Sequence, residues 1–397
     1  MNSPDRAGPA RTRVRWDELD LLRGVAGVLM VVNHTGYKWL NAEQLADPVV
    51  SALVFAGSCA PVVFFATSGV GHGLGSGSTR GPDRLGLLRK VAILLAADAL
   101  LWLSPSQWYG LDFLGFIGLS MLALDPLRHA RHPLRWATGG IVLVTILRFG
   151  VGEAVKGWPP TPTNVALRII LGIDPVDGVS YPVLPWIAYG LTGFVVGAVA
   201  KDARAWIDRR FAWVLAGLAV AVMANVAATR VLVATGRAIH RWGYVSLAFY
   251  FVGFASIAAA IAVALIAARW GGGRTRRLLD LPGLASLALV PLHYVVLAIV
   301  AAVLPLAALD RYGWLAATLV TLAVSFGGAR AVQTAATRAV AARRPWFGPA
   351  LLVAVAAAFV AKMVSAAAAS PEFVQLGIVA VGQLLLCVYF ALDGARP

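Results

Sequence analysis

Apolar stretches of about 20 residues recur along the whole chain and are separated by short polar segments. A run of roughly 18 or more apolar residues is long enough to cross the hydrocarbon core of a bilayer as an α-helix. The pattern therefore predicts an all-α fold, a polytopic membrane helix bundle of about twelve transmembrane helices. The predicted spans are residues 19–39, 50–74, 86–103, 108–127, 134–152, 182–200, 210–235, 243–268, 281–304, 313–332, 347–369 and 371–392.

The composition agrees with a membrane protein. Of the 397 residues, 59% are hydrophobic and 13% are charged. A soluble domain carries about 25% charged residues, so this chain has about half the usual supply for a water-exposed surface. The two cysteines, Cys59 and Cys387, both lie inside predicted spans. Because they are too few for a disulfide framework and lack clustered metal-ligating partners, we predict no metal site.

The basic residues are unevenly distributed along the chain. The formal net charge is +15, and most lysines and arginines lie in every second loop between the predicted spans. By the positive-inside rule these loops face the cytoplasm. The loop from Arg230 to Arg241 is the exception. We therefore predict cytoplasmic N and C termini in the inner membrane, and we interpret the charge as a determinant of topology and not as a nucleic-acid-binding surface.

The span pattern divides the chain into three parts. We predict a mobile cytoplasmic tail at residues 1–16, a core at 17–332, and two additional C-terminal transmembrane helices at 333–397. The C-terminal pair is rich in alanine and valine and is expected to face lipid, with Lys362 extending towards the interface. The stretch 153–181 is expected to be a long irregular loop on the outside that can cover a site. The first span is too long for a cleavable signal peptide, so it should remain as an anchor.

Arg23 and His34 are ionisable residues inside the first span. Eleven residues make about three helical turns, so both side chains should lie on one face, roughly 16 Å apart along the axis. Ionisable groups inside a membrane are costly and are therefore functional candidates. Histidine suits general-base work at neutral pH, and arginine suits phosphate. The alternatives are an Arg23 that extends to the interface and a His34 with a purely structural hydrogen bond.

The string Arg23-x10-His34, preceded by Leu19-Asp20-Leu21-Leu22, resembles the opening of two families of membrane acyltransferases. These are the acyltransferase-3 family and the heparan-alpha-glucosaminide N-acetyltransferase group. Other segments, in the same order, are similar to landmarks of these families: Phe64-Phe65-Ala66-Thr67-Ser68-Gly69, the basic cluster from Arg84 to Lys90, Tyr181-Pro182-Val183-Leu184-Pro185-Trp186, and Leu281-Pro282-Gly283-Leu284-Ala285-Ser286 followed by His293. The resemblance covers about residues 15–300. Thr67, Val70 and Pro282 differ from the residues that these families usually have at the matching positions.

The resemblance implies a core of about ten helices and an acyl-CoA donor, most simply acetyl-CoA, with no metal. It implies O- or N-acylation of a glycan or glycolipid acceptor of the cell envelope, with His34 as the catalytic base. The residues that would hold the coenzyme are Arg23, Arg84, Arg89, Lys90 and Ser68.

Other residues are candidates for orienting the substrate or the base: Asn33, Asp98, Trp186, Tyr189 and His293. Asp98 lies in the third span, where an unpaired carboxylate is costly, so it could pair with His34 or another buried cation. Trp186 and Tyr189 could line an acceptor groove or belong to the aromatic belt of the interface. His293 could instead form a structural interhelical hydrogen bond. His72 is interpreted as a residue at the cytoplasmic boundary of the second span.

Two other classes of protein remain open from the sequence. A secondary transporter of the major facilitator type also has twelve spans, and the segment from Gly81 to Lys90 resembles the Gly/Asp/Arg signature of that class. The segment has one extra residue, and no counterpart follows the eighth span. A non-enzymatic membrane scaffold is the third possibility, and it would not require charged side chains on one face of the first helix.

Overall fold

A computed structural model describes residues 16–77, 83–101, 111–159, 161–173, 179–239, 245–271, 286–341, 347–368 and 370–394. The predicted tail, apart from Trp16, lies outside the described residues. Leu281 to Ala285, which begin the segment that precedes His293, also lie outside the described residues.

The described chain is a bundle of α-helices, which confirms the predicted fold class. Its helices are α1 (Asp17–Trp39), α2 (Ala42–Leu45), α3 (Pro48–Gly57), α4 (Ala60–Leu74), α5 (Arg84–Leu101), α6 (Phe113–His129), α7 (Pro133–Ile146), α8 (Gly152–Val155), α9 (Pro162–Leu171), α10 (Val183–Arg209), α11 (Phe211–Ala234), α12 (Leu247–Trp270), α13 (Ser286–Val303), α14 (Arg311–Ala341), α15 (Phe347–Ala367) and α16 (Glu372–Gly394). A π-helical turn at Leu147–Val151 joins α7 to α8, and a short 3-10 turn follows α13 at Leu306–Ala308.

The helices agree with an integral membrane protein. Seven described stretches are long and apolar enough to cross a bilayer: Pro48–Leu74, Pro133–Val155, Val183–Arg209, Phe211–Ala234, Leu247–Trp270, Arg311–Arg338 and Phe373–Leu392. Each of the twelve predicted spans coincides with a helix or a pair of helices. The other apolar helices are shorter or contain more polar residues. The predicted total of about twelve membrane-spanning helices therefore stays a prediction.

The predicted irregular loop at 153–181 is partly helical. α9 begins after Thr161, whose hydroxyl accepts a hydrogen bond from the Asn164 backbone N–H at 3.3 Å, and Pro162 suits the first turn because its missing N–H has no partner there. α9 ends at Gly172, which has a φ of +64° and so adopts a conformation that other residues rarely take. The capping residues Thr161 and Gly172 therefore mark a short helix inside a stretch that was predicted to be irregular.

The centre of the bundle is the contact between α4 and α10. A Cβ atom added at Gly193 would overlap the backbone carbonyl of Ala66, and one added at Gly69 would overlap that of Gly190. Small residues let helix backbones approach closely in membrane proteins. The close contact brings Phe65 of α4 against Trp186 of α10, with ring centroids 5.7 Å apart.

The C-terminal helices present exposed apolar side chains, such as Val353, Val360 and Phe373, and also contribute to the core, so they are not simply lipid-facing additions. α16 buries Leu386, Tyr389 and Phe390 in the main hydrophobic core, and it packs against α13, α14 and α5. Lys362 of α15 is fully buried and does not extend to the interface. Its ammonium donates a hydrogen bond to the Ala99 carbonyl of α5 at 2.8 Å, because a buried amine needs an acceptor.

The α4–α10 contact generates a stability prediction. Gly193→Ala should lower the free energy of unfolding by about 1–3 kcal/mol, because a methyl group there forces two backbones apart. The measurement is the thermal unfolding midpoint of the purified protein in detergent.

Gly217→Ala in α11 is the matched control, since nothing lies within 4 Å of a Cβ atom at that position. It should be neutral or slightly stabilising, because alanine is the better helix former. Equal midpoints for the two variants would contradict the close packing of α4 on α10.

Candidate active site

α1 carries Arg23 and His34 in one unbroken helix. It runs from Asp17 to Trp39, with acidic residues in its first turn, where they interact favourably with the helix dipole. The Arg23 side chain is 37% exposed and pairs with Asp20 at 3.1 Å. His34 lies eleven residues further on and is partly buried. The helix is uninterrupted from Arg23 to His34, as the helical spacing requires, and the shared face of the two side chains stays a prediction.

His34 contacts His293 of α13, a residue 259 positions away in sequence. Nδ1 of His34 lies 2.7 Å from Nε2 of His293, and the two rings are stacked with centroids 5.0 Å apart. His293 is fully buried. Its other ring nitrogen, Nδ1, lies 3.2 Å from the Leu289 carbonyl oxygen.

These partners assign the hydrogen positions in the pair of imidazoles. A carbonyl oxygen only accepts, so Nδ1 of His293 carries a hydrogen and Nε2 of the neutral ring is an acceptor. Nδ1 of His34 must then donate to it. In neutral His34 the lone pair is therefore on Nε2, and this nitrogen can accept a proton from a substrate.

The side chains of Tyr294 and Lys38 extend this cluster. The Tyr294 ring is stacked on His34 with centroids 5.1 Å apart, and it lies 4.2 Å from the His293 ring. The Lys38 ammonium lies 5.2 Å from the centroid of Tyr294. Lys38 and Tyr294 lie outside the set of site residues predicted from the sequence. The position of Lys38, one helical turn after His34, was the only signal that could have identified it.

Asp112, at the start of α6, brings a carboxylate to the same cluster. Its side chain lies close to Ser180 and within electrostatic range of the ammonium of Lys38. Asp112 also lies outside the predicted set of site residues. It lies inside the predicted span 108–127 and directly before α6, so its approach to α1 depends on how α5 and α6 pack.

Asp98 does not pair with a cation as expected. Its buried carboxylate accepts hydrogen bonds from the backbone N–H groups of Asp112 at 2.7 Å and Leu114 at 2.9 Å. The first N–H groups of a helix have no partners within the helix. Asp98 of α5 therefore caps α6, and it positions Asp112 without contacting His34.

Asn33 points away from the histidine pair. Its side-chain amide donates to the Val54 carbonyl at 3.2 Å and to the Ser58 hydroxyl at 3.1 Å. These contacts hold α1 against the break between α3 and α4. The candidate orienting role of Asn33 is thus limited to placing helices around the site.

Trp186 and Tyr189 lie in the aromatic core of the bundle. Both are fully buried, with ring centroids 5.6 Å apart, and the Tyr189 hydroxyl donates to the Tyr250 carbonyl at 3.4 Å. They lie neither in an interfacial belt nor on an open groove. Trp186 also contacts Tyr181, which interacts electrostatically with Asp112, so the aromatic core supports one wall of the cluster.

The other end of the bundle collects basic side chains. Arg84, Arg89 and Lys90 are exposed on the first two turns of α5. Ser68 is partly buried, and its backbone carbonyl accepts a hydrogen bond from His72 at 2.9 Å.

His72 is also within electrostatic range of Lys90 and Arg128. It lies in the last turn of α4, which agrees with a boundary residue. Lys201 of α10 donates to the Ser76 carbonyl. This basic end of the bundle therefore also includes Arg128 and Lys201. Neither residue is in the set predicted from the sequence.

Comparison with known proteins supports the resemblance. A sequence model of the family described as heparan-alpha-glucosaminide N-acetyltransferase, catalytic, matches residues 15–218. Comparison with curated proteins and with solved structures gives no match. The matched region contains His34 but not His293. The contact between the two histidines therefore joins the matched region to a helix outside it.

The capping role of Asp98 generates a second stability prediction. Asp98→Ala should lower the free energy of unfolding by about 1–3 kcal/mol for each buried N–H that loses its acceptor. Asp208→Ala, whose carboxylate is 55% exposed, is the control and should change the free energy by less than about 0.5 kcal/mol. Thermal unfolding in detergent measures both, and similar midpoints would contradict the capping role.

Proposed function

This chain belongs to the heparan-alpha-glucosaminide N-acetyltransferase catalytic family, and we propose that it moves an acyl group, most simply acetyl, from coenzyme A to an acceptor of the cell envelope. The acceptor is a hydroxyl or amine of a glycan or glycolipid. The observation that supports the proposal is the histidine pair, in which the contact with His293 leaves the lone pair of neutral His34 on Nε2.

The proposed chemistry is direct transfer with His34 as general base. Nε2 of His34 removes the proton of the acceptor while the acceptor oxygen or nitrogen attacks the carbonyl carbon of the thioester. The tetrahedral intermediate then expels the thiolate, which receives the proton from His34. During this cycle Nδ1 of His34 keeps its hydrogen bond to His293, whose own hydrogen is held by Leu289, so the ring does not reorient.

The proposed donor site lies at the basic end of the bundle. Arg23, Arg89 and Lys90 supply cations suited to the phosphates of coenzyme A, and Arg84 and Ser68 lie near the same end. The face of α1 between Arg23 and His34 is roughly 16 Å long, comparable with the extended arm of the coenzyme.

The proposed orientation places both termini and this basic end in the cytoplasm, at the inner membrane. The positive-inside distribution supports it, and so does the clustering of Lys90, Arg128 and Lys201 at one end of the helices. The thioester would enter from the cytoplasm, and the acceptor would reach His34 from the opposite side.

His34→Ala should reduce acetyl transfer by on the order of 10²–10⁴-fold, the usual contribution of a general base. The assay measures thiol release from acetyl-CoA with glucosamine, glucose and water as acceptor probes. Thermal unfolding of the variant checks that it folds. Retention of wild-type activity by folded His34→Ala would exclude His34 as the base.

The His293 variants test the role of the second imidazole. His293→Gln keeps an acceptor for Nδ1 of His34 and should retain more activity than His293→Ala. The two substitutions should differ in kcat with little change in the KM for acetyl-CoA, because His293 does not contact the coenzyme in this proposal. Equal loss in both variants would argue against the hydrogen-bond role.

Coenzyme A and acetyl-CoA should raise the thermal unfolding midpoint by several degrees at millimolar concentration, because a ligand that binds only the folded state stabilises it. Arg23→Ala and Lys90→Ala should weaken this shift. Arg135→Ala, an exposed arginine at the start of α7, is the matched control and should not. An unchanged unfolding midpoint of the wild-type protein with both ligands would count against coenzyme A thioesters as the acyl donor.

A further inference from the structure

We propose that Lys38 is a second catalytic group of this site and that its ammonium stabilises the negative oxygen formed on the acyl carbonyl. The inference rests on the proposed acyl transfer. It adds an electrophilic group to the base, since a base alone does not stabilise the charge that appears on the carbonyl oxygen during attack.

The position of Lys38 on α1 supports this role. Lys38 follows His34 by four residues, and side chains with this spacing lie on one helix face with Cβ atoms about 6 Å apart. Its ammonium lies 5.2 Å from the centroid of Tyr294, and the same ring is stacked on His34. Tyr294 thus connects the cation and the base on one wall of the site.

The environment of Lys38 leaves it available to a substrate. The residue is exposed, while the ring of Tyr294 and the carboxylate of Asp112 hold its charge near the histidine pair. The backbone N–H of Asp112 donates a hydrogen bond to Asp98 at 2.7 Å, which holds Asp112 in place. An ammonium has three N–H donors, so Lys38 can keep these partners and still donate to a carbonyl oxygen.

The step is balanced without any other reactant. The acceptor's lone pair forms the bond to the carbonyl carbon, the π electrons move to the carbonyl oxygen, and the proton moves to His34. The oxygen then restores the double bond, the C–S electrons leave with sulfur, and His34 returns the proton to the thiolate. Lys38 forms no covalent bond and gives up no proton.

Lys38→Met tests the proposal, because it keeps the length of the side chain and removes the charge. We expect kcat for thiol release from acetyl-CoA to fall by on the order of 10²–10³-fold, as for the loss of an oxyanion-binding group. The thermal shift caused by coenzyme A should be unchanged, since Lys38 is proposed to act on the transition state and not on the nucleotide.

Lys38→Arg keeps the charge and should retain more activity than Lys38→Met. Lys156→Met, at an exposed lysine in the turn after α8, is the matched control and should match the wild type. If Lys38→Met does not fold, Lys38→Gln is judged by the same criteria.

Activity of the Lys38 variant within threefold of the wild type would overturn this proposal while leaving the acyl transfer intact. A rise in KM for acetyl-CoA at unchanged kcat would also overturn it, because Lys38 would then only bind the ground state. A wild-type protein that releases no thiol, with or without acceptors, would overturn the acyl-transfer function itself.

Discussion

The hydrogen bond between His34 and His293 is the contact on which the candidate site depends. An imidazole buried among apolar helices needs a partner for each polar atom, and here a carbonyl oxygen of the same helix satisfies the far end of the pair. Because a carbonyl oxygen can only accept, Nδ1 of His293 carries a hydrogen and Nε2 of the same ring accepts one from Nδ1 of His34. The lone pair of neutral His34 is therefore on Nε2. A backbone group thus determines which nitrogen of neutral His34 carries the lone pair.

The rest of the bundle keeps α1 and α13 in the positions that this contact requires. α4 and α10 approach through glycines and carry the aromatic core. α16 packs against α13, so the C-terminal helices support the element that carries His293. Asp98 caps α6 and fixes Asp112 beside Lys38. Several costly buried polar groups, Lys362 among them, are therefore used to join helices at defined points.

The two ends of α1 differ in their chemistry. Near the start of α1, α10 presents Arg204, which pairs with Glu18 of α1 at 2.7 Å. Near His34 lie the imidazole of His293, the phenol ring of Tyr294 and, on α1 itself, the ammonium of Lys38. The continuous helix α1 joins these two ends of the bundle.

Local patterns in the sequence predicted the helical membrane fold, the positions of the helices, and the Arg23 and His34 pair. Such features depend on apolar run length and on helical spacing, which involve only neighbouring residues. The tertiary structure alone decided the partner of His34, the capping role of Asp98, the burial of Lys362, and the approach of Lys38 and Asp112. These contacts join residues far apart in the chain, and a single sequence records the identity of such residues but not which helices pack together.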